Sequence, residues 1–181
     1  MNKKQLIPGT IDHTIVHHIL WGTRPLPRLA KVEFSSDFSH QKVVREVAYQ
    51  FKQKDIPFHE INLPLREETS VIFNTLFSAL KKIPSGVVSV TGFETAFKTD
   101  LPLFEAVRVI HCNRENLAQF DLRQIWWMSR PFHSEAIKVM QDFNSWFSLR
   151  LFLTEDASNS FVTVEKSEQH LPIIIKNNLP Q

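Results

Sequence analysis

A chain of 181 residues with 43% hydrophobic and 22% charged residues has the composition of one globular domain with short appendages, which excludes a mostly disordered, collagen-like or coiled-coil protein. Its 21 Lys+Arg against 19 Asp+Glu leave a net charge of +2, too thin an excess to draw nucleic acid or acidic lipid by overall charge. The single cysteine, Cys112, excludes an intramolecular disulfide framework and a Cys-rich zinc site.

The first residues carry Lys3 and Lys4 but no secretory pattern, which needs an apolar run of roughly 7 to 15 residues and a small-residue cleavage site. No stretch approaches the roughly 20 apolar residues of a membrane-spanning helix. A cytoplasmic protein is the expectation. Thr10 or Asp12 can cap a short helix in which Ile11, Ile15, Val16, Ile19 and Leu20 recur at helical spacing, before Gly22, Pro25 and Pro27 break it. Residues 1–28 therefore read as an arm outside the main domain, with Ile11, Ile15 and Ile19 offered to a partner.

Residues 29–155 alternate short apolar runs with longer periodic ones. Strands are expected over 29–34, 56–63, 87–90, 122–128 and 148–154, and helices over 39–54, 67–83, 102–120 and 132–143. Such alternation with short connections predicts an α/β fold of three layers, a mostly parallel five-stranded sheet with helices on both faces. Residues 156–181 read as a C-terminal extension with edge strands over 161–164 and 171–175 and a loose tail.

Function in an open parallel sheet gathers outside the carboxyl ends of the strands, which turns attention to the loop after the first strand, Ser35 to Val44. A phosphate-binding loop there requires G-x-x-x-x-G-K-[ST], since only glycine lets backbone N–H groups curl around phosphate and the lysine meets its charge. This segment has no glycine, and its one lysine, Lys42, precedes Val43 in place of a hydroxyl residue. After the third strand, where an Asp would hold magnesium, the chain reads Thr91, Gly92, Phe93, and the first carboxylate is Glu94. If a nucleotide-like ligand binds at all, Ser35, Ser36, Asp37 and Lys42 are the candidates. No catalytic residue, metal site or cofactor is expected.

Four strings, Val87 to Glu94, Cys112 to Ala118, Ile125 to Met128 and Asp142 to Ser148, resemble a divergent P-loop NTPase-like module found beside tetratricopeptide repeats in bacterial signalling and conflict proteins of the STAND and AAA type. Asn113, Arg114, Glu115 and Leu117 match the family's LN.xRE.L helix. Asp142, Phe143, Ser145 and Trp146 match its PDFWSWR segment, with Gln141 in place of the Pro and Phe147 in place of the Arg. The resemblance covers residues 29–155 and implies a P-loop NTPase-like fold. It also implies a partner-facing role for Arg114 and Glu115 and a non-catalytic platform that binds a larger, repeat-containing protein. An interaction domain in a bacterial signalling or defence assembly is the leading expectation. A nucleotide-ligand sensor and a nucleic-acid-associated accessory factor are the alternatives, and nucleic acid is the less expected partner.

Three further groupings have structural readings. His13, His17 and His18 include an i, i+4 pair able to chelate zinc, but no third ligand is visible and a solvated face is expected. Cys112 beside His111 is read as a buried structural thiol, because helix neighbours do not face each other. Trp126 and Trp127 alternate along a strand, one to each face, and are assigned to packing beneath helices.

Overall fold

The computed structural model describes residues 11–21, 29–65, 67–96, 108, 112–113, 116–117, 119–139, 143–153, 161–166 and 172–176. The elements in order are α1 (Ile11–Trp21), β1 (Leu29–Phe34), α2 (Asp37–Gln53), β2 (Phe58–Asn62), α3 (Thr69–Lys82), β3 (Val87–Thr91) and the short α4 (Phe93–Ala96). They continue with β4 (Arg123–Ser129), α5 (Arg130–Val139), a 3₁₀ turn (Phe143–Trp146), β5 (Leu149–Leu153), β6 (Phe161–Lys166) and β7 (Pro172–Lys176). The helix expected over 102–120 lies for the most part outside the described residues.

The sheet has the order β2-β3-β4-β1-β5-β6-β7. β1 to β5 are parallel, and β6 and β7 extend the sheet antiparallel beyond β5. β1 lies in the middle, in register from Leu29 opposite Gln124 to Phe34 opposite Ser129. Its alternation sends Ala30, Val32 and Phe34 to one face, where they join Val44, Val47 and Phe51 of α2, Ile125 and Trp127 of β4, and Leu149 and Leu151 of β5. The other face packs Val88, Val90, Trp126 and Met128 under Ile72, Leu76 and Leu80 of α3 and Phe132 and Ala136 of α5. This is a three-layer α/β architecture.

Local chemistry explains the element ends. α2 starts two residues before the expected Ser39, because Ser36 caps it in an extended conformation with its hydroxyl accepting the Ser39 N–H at 3.5 Å. At its far end Asp55 takes a left-handed φ of 54°, and the Asp55 and Ile56 amides donate back to the Lys52 and Phe51 carbonyls. That pattern is a Schellman stop with Asp where Gly is commoner. Before β3, Gly86 holds a φ of 113°, and a Cβ there would land on the Pro57 carbonyl oxygen.

One expectation is corrected. Ile15 and Ile19 are not a partner-facing surface: both are 0% exposed, and with Val16 they fill the α2 side of the core. The α1 residue His18 also pairs through Nε2 with the Ser148 hydroxyl at 2.9 Å, just before β5. An amphipathic helix this short needs a surface to cover its apolar face, and the sheet supplies it. The side chain of Ile11 is outside the described residues. In the family-like segment, Phe147 is fully buried and meets Trp126 edge-on at 5.8 Å. The side chains of Phe143 and Trp146 are outside the described set.

Candidate functional site

The crossover leaving β1 runs to β2 at one side of the sheet, whereas the one leaving β4 passes β1 to reach β5. α2 and α5 consequently cover opposite faces, and the strand order switches between β1 and β4. The carboxyl edge at such a switch is where open α/β sheets bind ligands.

Three loops meet at this edge. After β1, Ser35 and Asp37 are exposed, and Ser36 is committed to capping α2. Asp37 puts a carboxylate in the first turn, where the helix dipole is positive. Lys42 is exposed five residues on, which places it about 140° around the helix from Asp37. Ser35, Ser36 and Asp37 are therefore together at the edge, and Lys42 belongs to the outward face of α2. After β3, Gly92 turns the chain with a φ of 92° into α4, delivering Glu94. Glu94 keeps an exposed side, and partial desolvation by its neighbours raises its pKa; backbone amides of Glu94 and Ser129 oppose the rise, and the charge of Asp37 adds to it. Ser129 is the last residue of β4, so the ends of β1, β3 and β4 are linked through these two carboxylates.

His40 lines the same loop. Its ring stacks on Phe34 at 4.3 Å and tilts against Trp127 at 5.1 Å, and its Nε2 is buried without a hydrogen-bond partner among the described residues. Burial lowers its pKa and Asp37 works against that shift.

Beneath α5 lies a second charged group that the apolar pattern of β1 gave no reason to single out. Lys31, Glu33 and His133 are 0%, 3% and 4% exposed. The Glu33 carboxylate takes Lys31 Nζ at 2.8 Å and His133 Nδ1 at 2.8 Å. Lys31 also donates to Asn144 Oδ1 at 2.8 Å and to His133 Nε2, and it lies 5.7 Å from the Phe147 ring centre. Charges this deep persist only when paired, and here Lys31, Glu33, His133 and Asn144 partner one another. The sequence signal was a Lys and a Glu two apart on a strand, which places both on one face.

The other expected groupings fall as follows. Arg114 and Glu115 lie outside the described residues. Cys112 is exposed, which corrects the buried reading. Trp126 and Trp127 are buried on opposite faces, their indole N–H groups donating to Gln124 at 3.0 Å and Ser89 at 2.9 Å. Among the described residues no group of three or more His, Cys, Asp or Glu could hold a metal ion, and no helix is long and apolar enough to cross a membrane.

No protein-family model and no curated protein matches the chain. Its structure is similar to that of the KaiC-like protein PH0186 from the hyperthermophile Pyrococcus horikoshii OT3, with a TM-score of 0.57 over 98% of this chain and 99% of that one. The fold is P-loop NTPase-like. At 11% identity the likeness bears on the fold alone.

Proposed function

We propose that this chain is a non-catalytic interaction domain on a P-loop NTPase-like frame. Its setting is the cytoplasm, as an accessory or regulatory component of a bacterial signalling or defence assembly, where it docks on a larger protein such as one built from repeats. The observation that carries the reading is the start of α2. In a phosphate-binding fold of this kind, free N–H groups at a helix N-terminus and a lysine attract the phosphate. Here Ser36 takes up one of those N–H groups, Asp37 brings negative charge to the same turn, and Glu94 adds a second carboxylate. The segment has no glycine, and Lys42 faces away from Asp37. The resemblance of residues 29–155 to modules of signalling and conflict proteins supports the setting.

Thermal melts in magnesium with ATP, GTP or cyclic nucleotides at millimolar concentration test the reading. The melting temperature is expected to stay within about 1 °C of the ligand-free value, since a ligand at a hundred times its Kd adds about 2.7 kcal/mol and would be plain. A rise of several degrees with one nucleotide would replace the interaction domain with a sensor built on Ser35, Ser36, Asp37 and Lys42.

A further inference from the structure

The outward face of α2 has a composition that the fold does not explain. Phe38, Lys42, Arg45, Tyr49 and Lys52 follow one another at i, i+4, i+7, i+11 and i+14, which lines them up on one side of the helix. All five are exposed, Phe38 at 74% and Tyr49 at 58%. Exposed Gln41 and Gln53 flank the stripe. The two acids of α2, Asp37 and Glu46, fall to its sides, about 100° and 80° from the line of Phe38. The core residues Val44, Val47 and Phe51 point the opposite way. Among the described residues no ion pair engages Lys42, Arg45 or Lys52.

Going beyond the interaction-domain reading, we infer that this stripe binds single-stranded nucleic acid. Three cations, with Glu46 to their side as the i+4 neighbour of Lys42, meet a string of phosphates, and two aromatic faces about 16 Å apart stack bases, Phe38 ahead of Lys42 and Tyr49 between Arg45 and Lys52. The net charge of +2 hides this, because it sums over the chain, whereas the positive charge on α2 is gathered on one face. A membrane surface suits the stripe less well: insertion needs a continuous apolar band, and here cations separate the two rings. An acidic protein segment would find charge but no apolar side chains beyond the two rings to receive its own.

Fluorescence anisotropy of the full chain with a labelled 12-nucleotide oligo(U) at about 50 mM salt tests the inference. Saturable binding is expected, with log K falling against log salt at a slope near −2, from about 0.7 per neutralised phosphate on a single strand. The triple variant Lys42→Ala, Arg45→Ala, Lys52→Ala should lose at least tenfold in affinity and flatten that slope. Phe38→Ala and Tyr49→Ala should each weaken binding roughly fivefold to a hundredfold. Circular dichroism melts matching the parent would show each variant folded. The inference is overturned if there is no binding at about 100 μM protein, or if the triple variant binds like the parent. It is equally overturned if polyglutamate or phosphatidylserine vesicles bind as tightly as the oligonucleotide and lose binding with the same substitutions, the face then belonging to an acidic protein or a membrane. None of these results depends on the nucleotide melts, so the two readings fail separately.

Discussion

Lys31 on β1 and Lys42 on α2 belong to consecutive elements, yet the fold treats them in opposite ways. Lys31 is fully buried and closed into a network with Glu33, His133 and Asn144. Lys42 stands in solvent in a stripe with Phe38, Arg45 and Tyr49. The strand period of two turns Lys31 toward α5, and the helical period turns Lys42 away from the core. Neither cation reaches the start of α2, where Asp37 and Glu94 are. Of these two cations one is paired inside the fold and the other is presented outside it, and among the described residues the switch-point edge carries the carboxylates of Asp37 and Glu94 with exposed Arg130 at the start of α5.

The largest effect is expected at Lys31. Replacing it with Met leaves Glu33 buried without its ammonium, and urea denaturation should show a loss of about 3–5 kcal/mol. The double variant Lys31→Met, Glu33→Leu should recover most of that loss, because exchanging a whole buried pair for apolar groups is often near neutral. A Lys31→Met loss below about 1 kcal/mol would mean that the network is solvated and the contrast with Lys42 fails.

A second test asks whether α1 belongs with the buried region or the presented one. Ile15→Ala should cost about 2–5 kcal/mol in the same measurement, as expected for a fully buried aliphatic side chain. Deleting residues 1–24 should lower the melting temperature by several degrees. An unchanged melt would return α1 to the role of a detachable arm.

A smaller effect sharpens the account of the edge itself. Glu94 has a raised pKa in the folded state, so its protonated form favours folding, and that advantage is lost as pH rises through the folded pKa. Glu94→Gln should therefore melt modestly higher than the parent at pH 7, with the gain vanishing below the ordinary glutamate pKa. A variant less stable at pH 7 would show that the hydrogen bonds from Glu94 and Ser129 outweigh the partial desolvation.

The sequence was most legible where one period decided the structure. The apolar runs of β1, β3 and β4 and the faces of α2 and α3 needed only counting, and the strand-helix alternation led to the parallel sheet. What it did not disclose depends on distant partners. The periodicity of α1 showed an apolar face but not the sheet beneath it, nor the bond from His18 to a serine far along the chain. Lys31 and Glu33 look like solvent-facing residues of an edge strand until the sheet order makes β1 central. Glu94 was visible as the first carboxylate after β3, while its link to Asp37 and Ser129 arises only once three strand ends are neighbours. The stripe on α2 is present in the sequence, but the net charge of the whole chain conceals it, because the positive charge gathers on one helical face.

On the proposed reading, the edge between β1 and β4 does not hold nucleotide phosphate. Calorimetric titration of the full chain with magnesium ATP at millimolar concentration tests it most directly. No saturable heat is predicted, because Ser36, which caps α2, and the carboxylates of Asp37 and Glu94 occupy the place where a phosphate would need N–H groups and a lysine. Stoichiometric binding that persists in the Lys42→Ala, Arg45→Ala, Lys52→Ala variant and disappears in Ser36→Ala would contradict the account and make the loop after β1 a working nucleotide site.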